Sequence, residues 1–283
     1  MANLSIRDLL PPIALAALRR WRQGQGVTTF ASYGDALQSC VDSGTESGFE
    51  NSDLVRLIVA KTERYRADLA TAGAPIQLGA TAAYSLAALL TSGDRDPIQV
   101  IDFGGAAGAH YLLARALLPE SRRLRWIVVE TPAMVRQAEP ALSSDELAFS
   151  ADLQAAVHEL GRVDLLHTSG TLQCVANPYA TLDSLLATGA HHILFNRLGW
   201  TAGPREVITT HASWLSDNGP GAMPAGFVDR RIRYPFVFPR QDLFQASLAR
   251  HYEILLRFDD ASGVFPVGRE PLLGLGLLAR RKA

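Results

Sequence analysis

From residue 99 onward, short apolar runs alternate with segments whose apolar residues recur every three or four positions. The runs Gln99–Phe103, Arg125–Glu130, Glu146–Phe149, Val163–His167 and His192–Asn196 read as strands. Between them Ala109–Leu118, Ala133–Ala138, Leu153–Leu160 and Pro178–Leu186 carry a helical period. Alternation at this spacing predicts an α/β fold, a mostly parallel sheet with helices on both faces. The tail breaks the rhythm. Arg240–Arg250 reads as a helix and Tyr252–Phe258 as a strand, Asp259-Asp260-Ala261-Ser262-Gly263 as a turn, and Pro271–Leu278 as a last strand. Such a hairpin adds an antiparallel strand to a parallel sheet.

Residues 1–75 read as helical, with no convincing strand. In Asp53–Leu69, Leu54, Leu57, Ile58, Val59 and Tyr65 recur at roughly helical period, and Gly73-Ala74-Pro75 ends the pattern. Leu78–Leu90 reads as a further helix. Near the start, Leu9–Leu18 is apolar and Arg19-Arg20-Trp21-Arg22 follows it. A secretory signal places its charge first, so the early Asp8, the Pro11-Pro12 interruption and the later basic cluster argue against one. A short amphipathic helix from Pro12 is expected, docked on protein, with a membrane surface or a partner as the alternative.

With 283 residues and 48% hydrophobic content, the chain can bury a large core. A net charge of −1 gives no sign of a nucleic-acid or anionic-membrane partner. Cys40 and Cys174 form no C-x-x-C, which fits a reducing, cytoplasmic compartment. No apolar run reaches the roughly 18 residues that would span a bilayer.

Chemistry concentrates at Asp102-Phe103-Gly104-Gly105-Ala106-Ala107-Gly108, where a strand meets a glycine-rich turn and a helix N-terminus. That arrangement holds nucleotide-like ligands, since glycines let backbone N–H groups approach closely. A dinucleotide loop wants G-x-G-x-x-G, which neither Gly104 nor Gly105 begins. The pattern present, Asp-x-Gly-x-Ala-x-Gly, is close to the D/E-x-G-x-G-x-G loop of S-adenosylmethionine (SAM) methyltransferases, with alanine at the middle glycine. Glu130 at the tip of the next strand can accept from both hydroxyls of a ribose. Asp152 after the third strand either accepts from an adenine amino group, beside Leu153, or serves as an N-cap. Ser169 and Gly170 leave room at the carboxyl edge of the sheet, and Gln173 can face a substrate. The stretch from His191 to Arg240 is expected to form a substrate lid over about 198–239, with Arg197 among its cations. His211 is its candidate general base. His191 and His192 are expected on opposite strand faces, and no H-x-x-x-H or H-E-x-x-H appears, so no metal is expected. No G-x-S-x-G elbow is present for a hydrolase triad.

Several segments together resemble a largely uncharacterised family of SAM-dependent methyltransferases from bacterial surface-polysaccharide and secondary-metabolite gene clusters. They are Leu10-Pro11-Pro12, Phe30-Ala31-Ser32-Tyr33-Gly34-Asp35-Ala36-Leu37, the Asp102–Gly108 loop, Arg125–Pro132, Leu172–Tyr179 and Tyr234-Pro235-Phe236-Val237-Phe238. The resemblance implies a Rossmann-like, seven-stranded class I methyltransferase sheet. It implies SAM along Asp102, Gly104, Gly105, Gly108 and Glu130, S-adenosylhomocysteine as product, and an acid or second polar residue near Asn196-Arg197. The expected organisation is a helical region over 1–75, which docks and dimerises, and a SAM-binding domain over 76–283. The expected function is methyl transfer to a small-molecule acceptor, natural-product or sugar-like. A non-catalytic scaffold of the same fold is the alternative, and an NAD(P)-dependent oxidoreductase is disfavoured by the glycine spacing.

Overall fold

The computed structural model describes residues 28–42, 48–71, 85, 87–89, 91–93 and 95–283. The expected N-terminal amphipathic helix and the Gly73-Ala74-Pro75 break lie outside these residues. Of Leu78–Leu90, only Ser85 and residues 87–89 are described, and they are helical.

Parallel strands form the centre: β2 (Ile98–Phe103), β3 (Leu124–Val129), β4 (Leu147–Ser150), β5 (Leu165–Ser169) and β6 (His192–Asn196). The closing hairpin is β10 (Tyr252–Asp259) and β11 (Leu272–Arg281), and β11 inserts antiparallel between β6 and β10. The spatial order is β4-β3-β2-β5-β6-β11-β10, with the short β7 (Gly199–Thr201) also pairing with β11. This is the seven-stranded Rossmann-like sheet, closed by an antiparallel hairpin, that the sequence predicts. The strand order reverses beside β2, and open α/β sheets bind ligands at such a point.

Side chains alternate across the sheet. Val100, Trp126, Val128, Leu165 and Leu194 enter one apolar layer. It includes buried residues of α2 (Ser52–Leu69), α3 (Ala109–Leu117) and α4 (Pro132–Leu142). Ile101, Ile127, Leu166, Ile193 and Phe195 enter the opposite layer, with α5 (Leu153–Leu160), α6 (Pro178–Ala187) and α7 (Gln241–Ala249). Polar residues start several helices. Asn51 accepts from the N–H groups of Asp53 and Leu54, Thr131 from Met134, and Asn177 from Ala180.

Two expectations need correction. The N-terminal third contributes a strand as well as helices: β1 (Thr29–Phe30) precedes α1 (Tyr33–Asp42). The stretch 198–239 is not a single irregular excursion. It supplies β7, β8 (Val207–Trp214) and β9 (Arg231–Phe238), and β1-β8-β9 make a separate antiparallel sheet. Pro235 hides β9 in the sequence, because proline cannot donate to a ladder. It is tolerated here because β9 is the edge of its small sheet.

Lys61 ties α2 to this second sheet. It is 1% exposed, and its Nζ donates to the carbonyls of Ser216 (2.9 Å) and Asn218 (2.6 Å) in the turn after β8. Burial pushes its pKa down, while Asp217 and Asp229 oppose that. Replacing Lys61 by Met removes the donor from both carbonyls. The expected cost is about 2–3 kcal/mol of unfolding free energy, read from urea denaturation. An unchanged midpoint would show that the clasp contributes nothing.

Candidate active site

The loop after β2 is shaped first by packing. A Cβ on Gly104 would lie 2.1 Å from Thr171 Oγ1, and one on Gly105 would lie 2.4 Å from Asp102 Cγ. Gly104 also has a positive φ of 73°, and its N–H donates to Val129 O at 2.8 Å, holding the loop against β3. Ala106, at the middle glycine of the family pattern, is itself left-handed at φ 52°. That conformation costs a non-glycine residue roughly 1–2 kcal/mol. Its N–H donates to Glu130 Oε1 at 3.2 Å.

Beneath the loop, Asp102 is fully buried. His167 Nδ1 lies 3.0 Å from its Oδ1 and His110 Nδ1 lies 3.0 Å from its Oδ2. Burial pushes the Asp102 carboxyl up, but the two imidazoles more than offset this and hold it well below the usual range. An ionised carboxylate only accepts, so both Nδ1 atoms carry protons. His167 is then neutral, its pKa pushed down by burial despite the nearby Asp102 charge, and its Nε2 accepts from Ser85 Oγ at 3.2 Å. The ligand atoms of this trio lie within 4.8 Å of one another, a spacing that suits a metal ion. The sequence did not signal the cluster, because His167 lies 65 residues beyond Asp102 and joins it only through the pairing of β5 with β2. In this structure the carboxylate oxygens are engaged by the imidazole N–H groups.

A cavity of about 710 Å³ opens over the loop at the carboxyl ends of β2, β3 and β5. Gly104, Ala106, Glu130, Ser169, Gly170 and Thr171 form one side. The other side is aromatic, with Tyr33 and Phe49 from the N-terminal region, His211 from β8, Tyr234 and Phe236 from β9, and Phe265 from the closing hairpin. Ring centroids there are 4.6 Å apart for Phe49–Tyr234, 4.7 Å for His211–Phe265 and 5.1 Å for Phe236–Phe265.

The expected site residues divide between the cavity and its surroundings. Gly104, Glu130, Ser169, Gly170, Gln173, Arg197 and His211 line it. Asp102, Gly105, Gly108, Asp152 and Leu153 do not. Asp102 and Gly105 form the floor under the loop, and Gly108 precedes α3 in a left-handed conformation. Asp152 is the N-cap of α5, its Oδ1 accepting from Ala155 N–H at 2.8 Å, and Leu153 packs into the core. His191 and His192 are not separated by the sheet. His191 precedes β6, so strand alternation does not reach it, and the two rings meet edge to face at 4.5 Å. Sequence reasoning did not single out Phe265 or Phe49, which sit in short irregular segments with no periodic signal.

Glu130 accepts from Ala106 N–H and, at 2.7 Å, from Thr131 N–H. Burial raises its pKa, and those two donors lower it. A carboxylate has about four lone-pair sites, so capacity remains for a ligand. Ser169 Oγ and Gln173 Oε1 are buried without a hydrogen-bond partner among the described residues, while Gln173 Nε2 donates to Gly263 O at 2.9 Å. Arg197 is left-handed at φ 52°, locked by its N–H donating to Asp260 Oδ2 at 2.6 Å. Among the described residues no carboxylate pairs with its guanidinium. Burial pushes the Cys174 thiol up to about 12, leaving it protonated on the cavity wall.

No family model matches this sequence, and no curated protein matches it significantly. Among solved structures, the N-terminal domain of EvdMO1 with S-adenosylhomocysteine bound is 16% identical, with a TM-score of 0.44, covering 79% of this chain and 97% of that one. The CcbJ methyltransferase from Streptomyces caelestis is 14% identical (TM-score 0.44; 70% and 89% covered). A SAM-dependent methyltransferase from Clostridium acetobutylicum is 12% identical (TM-score 0.44; 79% and 97% covered). At these values the fold assignment rests on this chain's own strand order. No described helix is long and apolar enough to cross a membrane.

His211 gives the site a pH signature. Burial pushes its pKa down to about 4, Arg197 adds to this and Asp217 opposes it. A depressed folded pKa means that the unfolded chain takes the proton first as pH falls. Stability is therefore lost from about 6.5, the unfolded value, down to about 4, at roughly 1.4 kcal/mol per pH unit. His211→Gln should flatten the fall in melting temperature across that window. A slope equal to wild type would contradict a buried, neutral His211.

Proposed function

We propose that this chain is a SAM-dependent methyltransferase acting on a small-molecule acceptor. The observation that carries this reading is Glu130, a carboxylate with spare accepting capacity on the cavity wall, one strand from the loop whose Ala106 N–H it anchors. The cavity volume falls within the range of small-molecule sites, roughly 300–1,000 Å³. The residues present suit the cofactor. Glu130 would take the ribose hydroxyls, the Gly104–Ala106 backbone would lie against the nucleoside, and Ser169 Oγ and Gln173 Oε1 offer unpaired polar atoms at the methionine end. Two of the similar solved structures are N-methyltransferases, MtfA with SAM bound and NodS from Bradyrhizobium japonicum with S-adenosylhomocysteine bound. When bound, SAM supplies a sulfonium methyl group: the C–S bond breaks with its electron pair left on sulfur, and an acceptor lone pair forms the new bond to carbon.

This chain's residues then work mainly by placement. The loop and Glu130 fix one reactant, while the aromatic wall and Arg197 fix the other. Positioning two reactants at near-attack distance can supply roughly 7–11 kcal/mol of barrier lowering. Tyr33 and Phe49 from the N-terminal region, with His211, Tyr234 and Phe236 from the 198–239 stretch, line the side of the cavity away from the loop, which suits a lid role there. A homodimer through the N-terminal region and a cytoplasmic location complete the reading.

Calorimetric titration tests it. S-adenosylhomocysteine should bind with micromolar affinity and NADH should not. Glu130→Ala should weaken S-adenosylhomocysteine about 10- to 100-fold, as expected for hydrogen bonds to a charged group worth about 1.5–3 kcal/mol. Binding of NADH alone, or unchanged affinity in the folded variant, would overturn the reading.

A further inference from the structure

Arg197 follows β6 at the carboxyl edge of the sheet and holds a backbone conformation that its side chain disfavours. Its φ of 52° is left-handed. In a non-glycine residue that conformation costs energy and persists only where the surroundings over-determine it. Two contacts do so here. The Arg197 N–H donates to Asp260 Oδ2 at 2.6 Å, and a Cβ on Gly263 would lie 2.2 Å from the Arg197 carbonyl oxygen. The flanking Asn196 and Leu198 are buried, while Arg197 is exposed and lines the cavity. The turn thus brings one side chain out of a packed strand end into the site.

The guanidinium carried there has no acidic partner among the described residues. Asp260 uses its carboxylate elsewhere. Its Oδ1 accepts from Ser262 N–H at 3.2 Å and from the Ser262 hydroxyl, and its Oδ2 from the Arg197 backbone. Glu130 accepts from the N–H groups of Ala106 and Thr131. By contrast, Arg95, Arg115, Arg162, Arg230 and Arg240 each pair with a carboxylate. Among the described residues that line the cavity, Arg197 is the one arginine or lysine. An unpaired guanidinium on such a wall suits an anion.

A Cβ on Gly170 would lie 3.9 Å from Arg197 Cζ, so the guanidinium stands over the end of β5. Cys174 Sγ donates to Gly170 O at 3.6 Å and Tyr33 Oη to Cys174 O at 2.9 Å, which joins that point to the aromatic side. The Arg197 charge also acts on Cys174, His211 and Tyr234, all of which line the cavity. Strand β6 stands three places from β3, about 14 Å along the sheet edge at the usual strand spacing. Glu130 and Arg197 thus mark opposite ends of the site. We propose that Arg197 holds the acceptor, and that the acceptor carries a carboxylate on an apolar body. The assignment to the acceptor rests on the methyl-transfer reading, which puts the cofactor at Glu130; that the guanidinium receives a carboxylate does not.

A carboxylate fits this place better than a phosphate. Its two oxygens match the planar guanidinium fork with two parallel hydrogen bonds, and its single charge equals that of the lone cation. A phosphate dianion would leave a net negative charge facing Glu50 and Glu130, which also line the cavity. The packed rings of His211, Phe236 and Phe265 offer apolar faces to the rest of the molecule. A charged head at Arg197 and an apolar body on the rings would together orient the acceptor toward the cofactor's end of the site.

Benzoate, phenylacetate and 3-phenylpropionate, each beside its primary amide, can be titrated calorimetrically into the S-adenosylhomocysteine complex, with phenyl phosphate as the competing class of anion. At least one acid should bind about tenfold more tightly than its amide, as hydrogen bonds between charged groups predict. Arg197→Gln should erase that preference. Arg197→Asn provides a second variant, because asparagine accepts a left-handed backbone. S-adenosylhomocysteine has a carboxylate of its own, and 5′-methylthioadenosine lacks it. Arg197→Gln should leave the ratio of their two affinities unchanged. The proposal is overturned if no acid is preferred to its amide, or if the preference survives in the folded variants. Tighter binding of phenyl phosphate than of every acid, or a loss confined to S-adenosylhomocysteine, would overturn it equally. If S-adenosylhomocysteine does not bind the wild type, the methyltransferase reading fails instead. The acid and amide titrations on the free protein then still decide whether Arg197 receives a carboxylate.

Discussion

The Asp102 carboxylate is the constraint around which the site is built. An isolated charge in the middle of a sheet is costly to desolvate, and here two imidazole N–H groups compensate it, one from β5 and one from α3. The neighbouring positions follow from that arrangement. Residue 105 must be glycine, because a Cβ would collide with the carboxylate, and residue 104 must leave space for Thr171. The loop therefore crosses directly above a buried ion-dipole cluster, with its N–H groups turned toward Glu130 and β3. The glycines that suggest a ligand are required first by the protein's own packing.

A second construction supplies the opposite wall. The β1-β8-β9 sheet carries His211, Tyr234 and Phe236 to the cavity, and Lys61 on α2 grips the turn that contains Asn218. Lys61 thereby ties the packing of α2 to the turn after β8 through two backbone carbonyls. One side of the cavity is a backbone cradle with a carboxylate, and the other is aromatic with a neutral imidazole and a guanidinium. The proposed transfer from a nucleoside-bearing donor to a small acceptor would use both sides of this division.

The sequence revealed these parts unevenly. The parallel strands were legible because they are buried on both faces and so form continuous β-branched runs, as in Val100-Ile101 and Ile127-Val128-Val129. The closing hairpin was legible from the turn residues at Asp259–Gly263. Strands β8 and β9 were not. Thr209, Thr210 and Ser213 dilute the apolar signal, and Pro235 interrupts β9 at an edge position where the structure tolerates it. Glu130 stood out because it follows a clear strand. His110 and His167 did not, since their common role depends on the register that sets Asp102 beside His167. Asp152 could be read equally as ligand or cap, and the structure shows the capping bond.

A crystal structure of the protein with S-adenosylhomocysteine tests the central claim most directly. The account predicts ribose hydroxyls on the Glu130 carboxylate, the nucleoside against Gly104–Ala106, and the sulfur turned toward the wall formed by His211 and Phe265. A ligand seated elsewhere, or a ribose that does not touch Glu130, would contradict it.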